Sequence, residues 1–347
     1  MSIRESLERR EAETLSEFAC LSSNTQGRVV PEAPDDLRPA FQRDRDRIIH
    51  TKAFRRLVGK TQVFLAPLGD HYRTRMTHTL EVTQVGRTIA RALHLNEMLV
   101  EAVGMGHDLG HTPFGHAGER CLRKLIPGGF HHVRQSVRVV EKLAREGRGL
   151  NLNAEVVDGI AKHSKGKASL ITENKATMAM TLEGQALRLA DIIAYVNHDF
   201  DDAQRAGLMT SEDLPEEVHE VLGRTASERL ETLITDVVAA SQAVEMRRIT
   251  MTPEVCHALE TFRDSMYDKV YLNPVVVDGF ERANKVLEFL WEHCMADPER
   301  FRSEYHTPTD LDEPHWRHVA DFVTGMTDRY AIRFFEERFM PRVWSVM

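Results

Sequence analysis

The sequence predicts an all-α fold, and two observations lead to this expectation. Apolar residues recur at steps of three and four, the spacing of one face of a helix, and no segment alternates between apolar and polar residues over the length of a strand. Three apolar stripes are clear: Leu80, Val82, Val85, Ile89 and Leu93; Leu182, Ala186, Leu189, Ile193 and Val196; and Val319, Phe322, Val323 and Met326. We expect each stripe to be the buried face of a helix.

Turn-forming residues divide these helical regions. After a charged, helix-prone N-terminus, residues 21–40 carry three prolines, which predicts a loop or an ordered arm. Further breaks are predicted at residues 112–115, 127–129, 164–175 and 307–314.

Three parts follow from these breaks. Residues 1–40 are expected to form an N-terminal helix and arm, and residues 41–206 a helical core. Residues 207–347, after a weak boundary at 207–215, are expected to be a helical extension that completes the fold.

The composition is that of a soluble globular chain. The 347 residues are 42% hydrophobic and 28% charged, with a net charge of −8, which excludes wholesale disorder, a collagen and a coiled-coil rod. No apolar run approaches the ~20 residues of a membrane helix. The N-terminus lacks an apolar signal segment, and the four cysteines are far apart, so we expect a reduced, cytoplasmic protein.

The charges are distributed unevenly. Residues 38–91 contain twelve Lys and Arg against four acids, a local charge of +8 that leaves −16 for the rest. This pattern indicates a local anionic ligand rather than a nucleic-acid-binding surface. Within it, Arg75 is the first candidate to contact an anion, and Lys52, Arg55, Arg56 and Lys60 are weaker ones. The alternating charges of residues 43–47 suit either a solvated helix face or an intersubunit or nucleotide-facing surface.

The densest chemistry lies in residues 107–119, which hold three of the seventeen histidines and two acids. We expect His107, Asp108 and His111 to share one helical turn. Pro113 and Gly115 then break the helix, and His116 and Glu119 lie three residues apart at the start of the next one.

A mixed set of imidazole and carboxylate groups suits a divalent ion such as Mn, Fe, Co, Ni, Zn or Mg. Two ligands do not complete a site, so others must come from elsewhere. His78 lies on an amphipathic helix upstream, and Asp191 lies on an apolar helix downstream, where an isolated carboxylate is costly.

These residues carry a resemblance to a known family. His78, His107, Asp108 and Asp191 match the H…HD…D pattern of the HD-domain metal-dependent phosphohydrolases. Longer segments, in order along most of the chain, resemble the deoxyguanosinetriphosphate triphosphohydrolase (dGTPase) family. This family is related to the SAM-and-HD-domain dNTP triphosphohydrolases. The segments that carry the resemblance are residues 43–64, 69–82, 107–119, 130–136, 190–203 and 325–331.

The resemblance implies a fold and an activity. It implies an HD-domain helical core with additional C-terminal helices packed on it. It implies hydrolysis of dGTP or several dNTPs to deoxynucleoside and tripolyphosphate, with a divalent metal (Mn, Mg, Fe, Co or Ni). It also implies a homo-oligomer and, as a further partner, an activating dNTP or single-stranded DNA.

The resemblance also implies roles for individual residues. The residues that match the family's metal ligands are His78, His107, Asp108 and Asp191. The catalytic pair is matched by His116 and Glu119, and the histidines near the phosphates are matched by His111 and His132. The residues that match the family's substrate contacts are Arg75, Tyr195 and Asp199. One departure is visible, because Val133 follows His132 where the family usually has asparagine.

The chemistry of the residues agrees with these roles. An imidazole has a pKa suited to protonating the nucleoside 5′-oxygen that leaves the α-phosphorus, so His116, oriented by Glu119, is the expected general acid. Asp191, Tyr195 and Asp199 share one helix face. If the ring of Tyr195 lies against the 2′-carbon of the sugar, it leaves no room for the 2′-hydroxyl of a ribonucleotide.

Two alternatives stay open. One keeps the HD chemistry with another substrate: a nucleoside monophosphate, (p)ppGpp or a cyclic dinucleotide. The other is a non-enzymatic nucleotide sensor or single-strand nucleic-acid binder that uses the basic segment.

Overall fold

A computed structural model describes residues 1–62, 73–164, 170–171, 174, 176–305 and 312–341 of the protein. Over these residues the chain forms 17 α-helices and no β-strand, which confirms the predicted all-α class. The first ten are α1 (Ile3–Thr14), α2 (Ala40–Ile49), α3 (Lys52–Arg56), α4 (Arg75–Ala92), α5 (Glu97–Gly106), α6 (Gly115–Leu125), α7 (His132–Arg138), α8 (Ala144–Gly147), α9 (Ala154–Lys162) and α10 (Leu182–Arg205). The others are α11 (Glu216–Leu222), α12 (Ala226–Ala243), α13 (Pro253–Met266), α14 (Pro274–Ala296), α15 (Pro298–Glu304), α16 (His315–Thr324) and α17 (Asp328–Phe339).

The larger hydrophobic cluster surrounds α4, which packs against α5 and α10. Close approach is possible because α4 carries Gly86, where an added Cβ would lie 2.9 Å from a methyl carbon of Val100. Val82 and Val85 of the predicted stripe are buried as expected, but Leu80 is exposed. Leu80 differs because two residues correspond to about 200° of rotation around a helix, which places it opposite Val82.

The smaller cluster joins α6 to the C-terminal helices α14, α16 and α17. It includes Leu122 from α6, Leu287 from α14 and Val323 from α16, all fully buried. The helix that carries His116 and Glu119 is therefore held by residues from beyond 207. The three-part division of the chain stays a prediction.

The predicted breaks have mixed outcomes. Residues 21–39 form an arm with one short 3₁₀ turn, and Arg28 ties it to Asp44 and to the carbonyl of Asn151. The turn at residues 127–129 and the break at residues 112–114 are also present. The predicted loops at 164–175 and 307–314 lie largely outside the described residues.

Among the described helices, none combines the length and the apolar character needed to span a bilayer. The four cysteines are all free thiols.

Candidate metal centre and active site

The four predicted metal ligands converge, although they come from three separate helical regions. His78 lies on α4, His107 and Asp108 directly follow α5, and Asp191 lies on α10. The Nε2 atom of His78 lies 3.2 Å from Asp191 Oδ1 and 3.6 Å from Asp108 Oδ2. The Nε2 atom of His107 lies 3.5 Å from Asp108 Oδ1 and 4.0 Å from Asp191 Oδ1.

The donor atoms fit a divalent ion. The Nδ1–H of His107 donates to the carbonyl of Gly104 at 2.7 Å, so its Nε2 carries a lone pair, and that buried atom has no hydrogen-bond partner in the described part of the chain. Ligands about 2.1 Å from one ion lie ~3–4 Å apart, which is the range seen between these atoms. A cation would satisfy the lone pair and both carboxylates together.

The segment between the ligands differs from the expected helical turn. Helix α5 ends at Gly106, and residues 107–110 form non-helical turns. The reason is close packing against α7, because a Cβ on Gly110 would lie 2.1 Å from the backbone nitrogen of Ser136. The hydroxyl of Ser136 accepts from the N–H of Gly110 and donates to the carbonyl of His107, which fixes the turn.

Arg75 lies inside the centre rather than at its surface. Its Nη1 donates to Asp108 Oδ2 at 2.7 Å, while Nε and Nη2 are buried and find no acceptor among the described residues. Burial alone would raise the pKa of the Asp108 carboxyl, but His111, His107 and Arg75 together hold it well below its usual value. These two unpartnered nitrogens of Arg75 are suited to donate to an incoming anion.

Three histidines line one side of the centre. The rings of His111 and His132 stack with centroids 4.0 Å apart. The Nδ1–H of His132 donates to Glu119 Oε2 at 3.0 Å, and its Nε2 lies 3.3 Å from the Nε2 of His163. His163 donates its Nδ1–H to the carbonyl of Ile160 at 2.8 Å, which directs its Nε2 atom towards His132.

The expected orientation of His116 by Glu119 is wrong in this structure. Both oxygens of Glu119 accept from His132, Oε1 from its backbone N–H at 3.3 Å and Oε2 from its ring at 3.0 Å, and Oε1 also accepts from Arg123 at 3.3 Å. Burial raises the pKa of Glu119, but the hydrogen bond and charge of His132 outweigh it and hold this pKa well below the usual value. The cause is helical geometry, since Glu119 faces α7.

His116 lies in the first turn of α6 as expected and is exposed to solvent. Its ring centroid lies 6.4 Å from that of His111 and 6.3 Å from that of Tyr271. Reduced hydration next to the surrounding protein, followed by the positive charge of Arg75, lowers the pKa of its imidazole.

Tyr195 and Asp199 extend the site along α10. The carboxylate of Asp199 accepts a hydrogen bond from the hydroxyl of Tyr271, and the Tyr195 hydroxyl also interacts with Tyr271. Sequence reasoning missed Tyr271, which lies in the π-helical turn Tyr267–Tyr271 after α13. No motif marked it, although such turns are frequent at functional sites.

Comparison with known proteins identifies the family. Residues 75–196 match the HD domain, and residues 249–337 match the phosphohydrolase-associated domain. A relative from Desulfatibacillum aliphaticivorans is 48% identical over 98% of this chain and 99% of its own. Others are 46% identical in Caldanaerobacter subterraneus subsp. tengcongensis, over 99% and 98% of the two chains, and 44% identical in Clostridium perfringens, over 99% of each. All three carry the name deoxyguanosinetriphosphate triphosphohydrolase-like protein.

The chain belongs to this dGTPase-like family. The matched HD domain contains all four candidate ligands, and with the buried His and Asp cluster it supports a metal-dependent phosphohydrolase.

Lys52 and Arg55, expected at the substrate, line a different cavity of this dGTPase-like chain. This basic cavity has a volume of about 1170 Å³, and its walls include Arg38, Lys52, Arg55, Arg56, Lys60 and Arg148. None of the four candidate ligands is among the described residues that line it. Leu109, Gly110 and Gln135 form its wall towards the HD motif.

Lys60 connects the basic cavity to the metal centre. Its buried ammonium donates to the carbonyl of His111 and, at 2.8 Å, to the carbonyl of Thr324. Burial lowers its pKa to about 7.

Proposed function

We propose that the protein hydrolyses 2′-deoxynucleoside triphosphates, dGTP or several dNTPs, to the deoxynucleoside and tripolyphosphate. The observation that carries this proposal is the single buried cluster in which the four candidate ligands adjoin Arg75, His111 and His132. An ion site next to unpaired cationic donors is the arrangement that phosphate-ester hydrolysis requires.

His78, His107, Asp108 and Asp191 would hold the ion. When bound, a divalent ion there would polarise a phosphoryl oxygen and lower the pKa of a coordinated water. Two imidazoles among the ligands favour Mn, Fe, Co or Ni, since Mg prefers oxygen ligands alone.

The triphosphate would be bound by groups whose donors are otherwise unused. Arg75 offers Nε and Nη2, which are buried and have no acceptor among the described residues. His111 donates its Nε2–H to Asp108 at 3.1 Å and so helps to hold that carboxylate in place.

His116 would protonate the 5′-oxygen of the nucleoside as the bond to the α-phosphorus breaks. Its pKa is low in the free protein, and the negative charge of a bound triphosphate would raise it towards the working pH. Glu119 would act through His132, whose ring it orients by accepting from Nδ1.

Tyr195 and Asp199 would bind the sugar. A tyrosine ring against the 2′-carbon leaves no room for a ribose hydroxyl, and Asp199 can accept a hydrogen bond from the 3′-hydroxyl.

The test is to incubate the Mn- or Mg-loaded protein with each dNTP, singly and in mixtures, and to separate the products by ion exchange. Tripolyphosphate with deoxynucleoside is the expected result. Pyrophosphate, orthophosphate or no turnover in any mixture would refute the proposal and favour another nucleotide substrate or a sensor.

The mixtures also test the predicted activator. The basic cavity has the charge for a nucleotide and is large enough for one, because its volume of about 1170 Å³ exceeds the ~300–1,000 Å³ of typical small-molecule pockets. If a second dNTP activates by binding there, Arg55→Glu should remove the stimulation seen in mixtures. Lys285→Glu, an exposed change on α14, should keep it.

A further inference from the structure

His198 is a buried histidine that neither the metal centre nor the proposed reaction uses. It lies on α10, one residue before Asp199, and is 3% exposed. Its ring nitrogens face two groups with assigned roles. The Nε2 atom lies 2.7 Å from Nδ1 of the candidate ligand His78, and the Nδ1 atom lies 2.8 Å from Asp199 Oδ1.

The positions of the ring protons on His78 and His198 follow from the role of His78 as a metal ligand. The Nε2 atom of His78 faces Asp108 and Asp191 and must carry a lone pair to bind an ion. The proton of His78 is then on Nδ1 and is donated to Nε2 of His198. His198 in turn carries its proton on Nδ1, directed to the carboxylate of Asp199.

The contact between His198 and Asp199 is close but not a well-aligned hydrogen bond, because the two residues are adjacent. Within the described chain neither His198 Nδ1 nor Asp199 Oδ1 has a hydrogen-bond partner, so each is the nearest counterpart of the other. The second carboxylate oxygen of Asp199 accepts from Tyr271. The chain of polar contacts therefore runs from His78 through His198 and Asp199 to Tyr271.

We propose that His198 is a positioning residue that couples the sugar contact at Asp199 to the metal ligand His78. The proposal rests on the proposed function for the identity of the sugar. A 3′-hydroxyl bound to Asp199 fixes the carboxylate, the carboxylate orients His198, and His198 holds the imidazole of His78 towards the ion. Such coupling is reciprocal, so the ion and the deoxynucleoside strengthen the binding of each other by the same factor.

The experiment measures Mn²⁺ affinity by competition with a chelator, with and without 2′-deoxyguanosine or 2′,3′-dideoxyguanosine. In the wild-type protein, 2′-deoxyguanosine should tighten Mn²⁺ binding and the dideoxy compound should not. His198→Phe keeps the ring without its nitrogens and should weaken Mn²⁺ binding ~10–100-fold, the usual effect of losing such a partner. The response to 2′-deoxyguanosine should also be lost.

His198→Gln is the conservative variant, since its amide can accept from His78 and donate to Asp199. It should restore most of the Mn²⁺ affinity. His219→Gln is the matched control. His219 is a buried histidine on α11 that is hydrogen-bonded to the backbone carbonyl of Ser211. This variant should bind Mn²⁺ like the wild type.

Wild-type Mn²⁺ affinity in His198→Phe would overturn the proposal. If His198→Phe does not fold, Asp199→Ala tests the proposal instead. Asp199 is not a candidate metal ligand, so its loss should weaken Mn²⁺ binding only through His198. Unchanged affinity in Asp199→Ala would then overturn the coupling. A protein that hydrolyses no dNTP but shows these Mn²⁺ effects refutes the proposed function alone, because the affinity measurement needs no turnover.

Discussion

At the scale of single residues, the centre depends on where each histidine carries its proton. The carbonyl of Gly104 fixes the proton of His107 on Nδ1, and the carbonyl of Ile160 does the same for His163. The first histidine thereby gains a lone pair on Nε2 for an ion, and the second has its Nε2 atom directed at His132, 3.3 Å away. Backbone carbonyls thus set the chemistry of side chains that the sequence shows only as histidine.

Substitutions should separate the ion-binding role from the acid role. Asp108→Ala should remove both metal binding and hydrolysis, since Asp108 contacts both candidate ligand histidines. His116→Ala should retain the metal and lower kcat by ~100-fold or more, the typical contribution of a general acid. Metal content by plasma mass spectrometry and turnover of dGTP check both. Loss of the metal in His116→Ala would contradict the assigned role.

Lys60 gives the fold a distinct pH dependence. The pKa of Lys60 is about 7 in the folded protein, whereas an ordinary lysine has a pKa of 10.5. Between these two pH values the unfolded chain binds one more proton than the folded chain, so the free energy of unfolding rises with pH. The slope from one group is at most ~1.4 kcal/mol per pH unit.

Lys60→Met should flatten this rise, and Lys285→Met, at an exposed lysine, should leave it unchanged. Urea unfolding at pH 7 to 10 measures the difference. The same slope in all three proteins would show that Lys60 is not responsible.

Tyr195 is expected to set the preference for deoxyribose. Tyr195→Ala opens space beside the 2′-carbon and should reduce the ratio of kcat/KM for dGTP over GTP by ~10-fold or more. Tyr195→Phe keeps the ring and should keep the ratio. An unchanged ratio in the alanine variant would remove Tyr195 from the sugar site.

At the scale of elements, periodicity predicted the helices but not their ends. Helix α10 and most of the α4 stripe follow directly from apolar spacing, because burial on one face of a helix is encoded locally. The turn at 107–110 could not be predicted, because it depends on contact between Gly110 and Ser136 of α7. The contact between Glu119 and His132 could not be predicted either, because it depends on how α6 packs against α7.

Residues 325–331, the last of the segments that resemble the dGTPase family, hold the start of α6 through Asp328. Asp328 Oδ1 accepts from the N–H of Phe114 at 2.9 Å, and Oδ2 accepts from the backbone N–H of Thr61 at 2.9 Å. Phe114 has a φ of +63°, a left-handed conformation that costs a non-glycine residue ~1–2 kcal/mol. Asp328 therefore stabilises the turn that orients His116.

Asp328→Ala should lower kcat by ~10–100-fold with unchanged metal content, since small displacements of a catalytic group are costly. Asp297→Ala removes another carboxylate at a helix start, the N-cap of α15, and should leave kcat unchanged. Steady-state kinetics with matched metal analysis provides the comparison. Equal kcat values for the two variants would exclude this role.

At the scale of the whole molecule, the basic segment has less free charge than its sequence indicates. Arg45 pairs with Asp46 and Glu101, Arg47 pairs with Glu32, and Arg73 pairs with three acids. Residues 43–47 are therefore not a solvated face. Arg87 and Arg91 both pair with Glu97. The other cations separate into Arg75 at the metal centre and the group around the basic cavity, and this division depends on tertiary packing, which the sequence pattern does not show.

The central claim is that water attacks the α-phosphorus and the nucleoside 5′-oxygen leaves. Hydrolysis of dGTP in ¹⁸O-labelled water, followed by mass spectrometry of both products, tests it most directly. The expected result is one ¹⁸O atom in tripolyphosphate and unlabelled deoxyguanosine, with no turnover in Asp108→Ala. Label in the 5′-hydroxyl of deoxyguanosine, or release of pyrophosphate or orthophosphate, would contradict the claim.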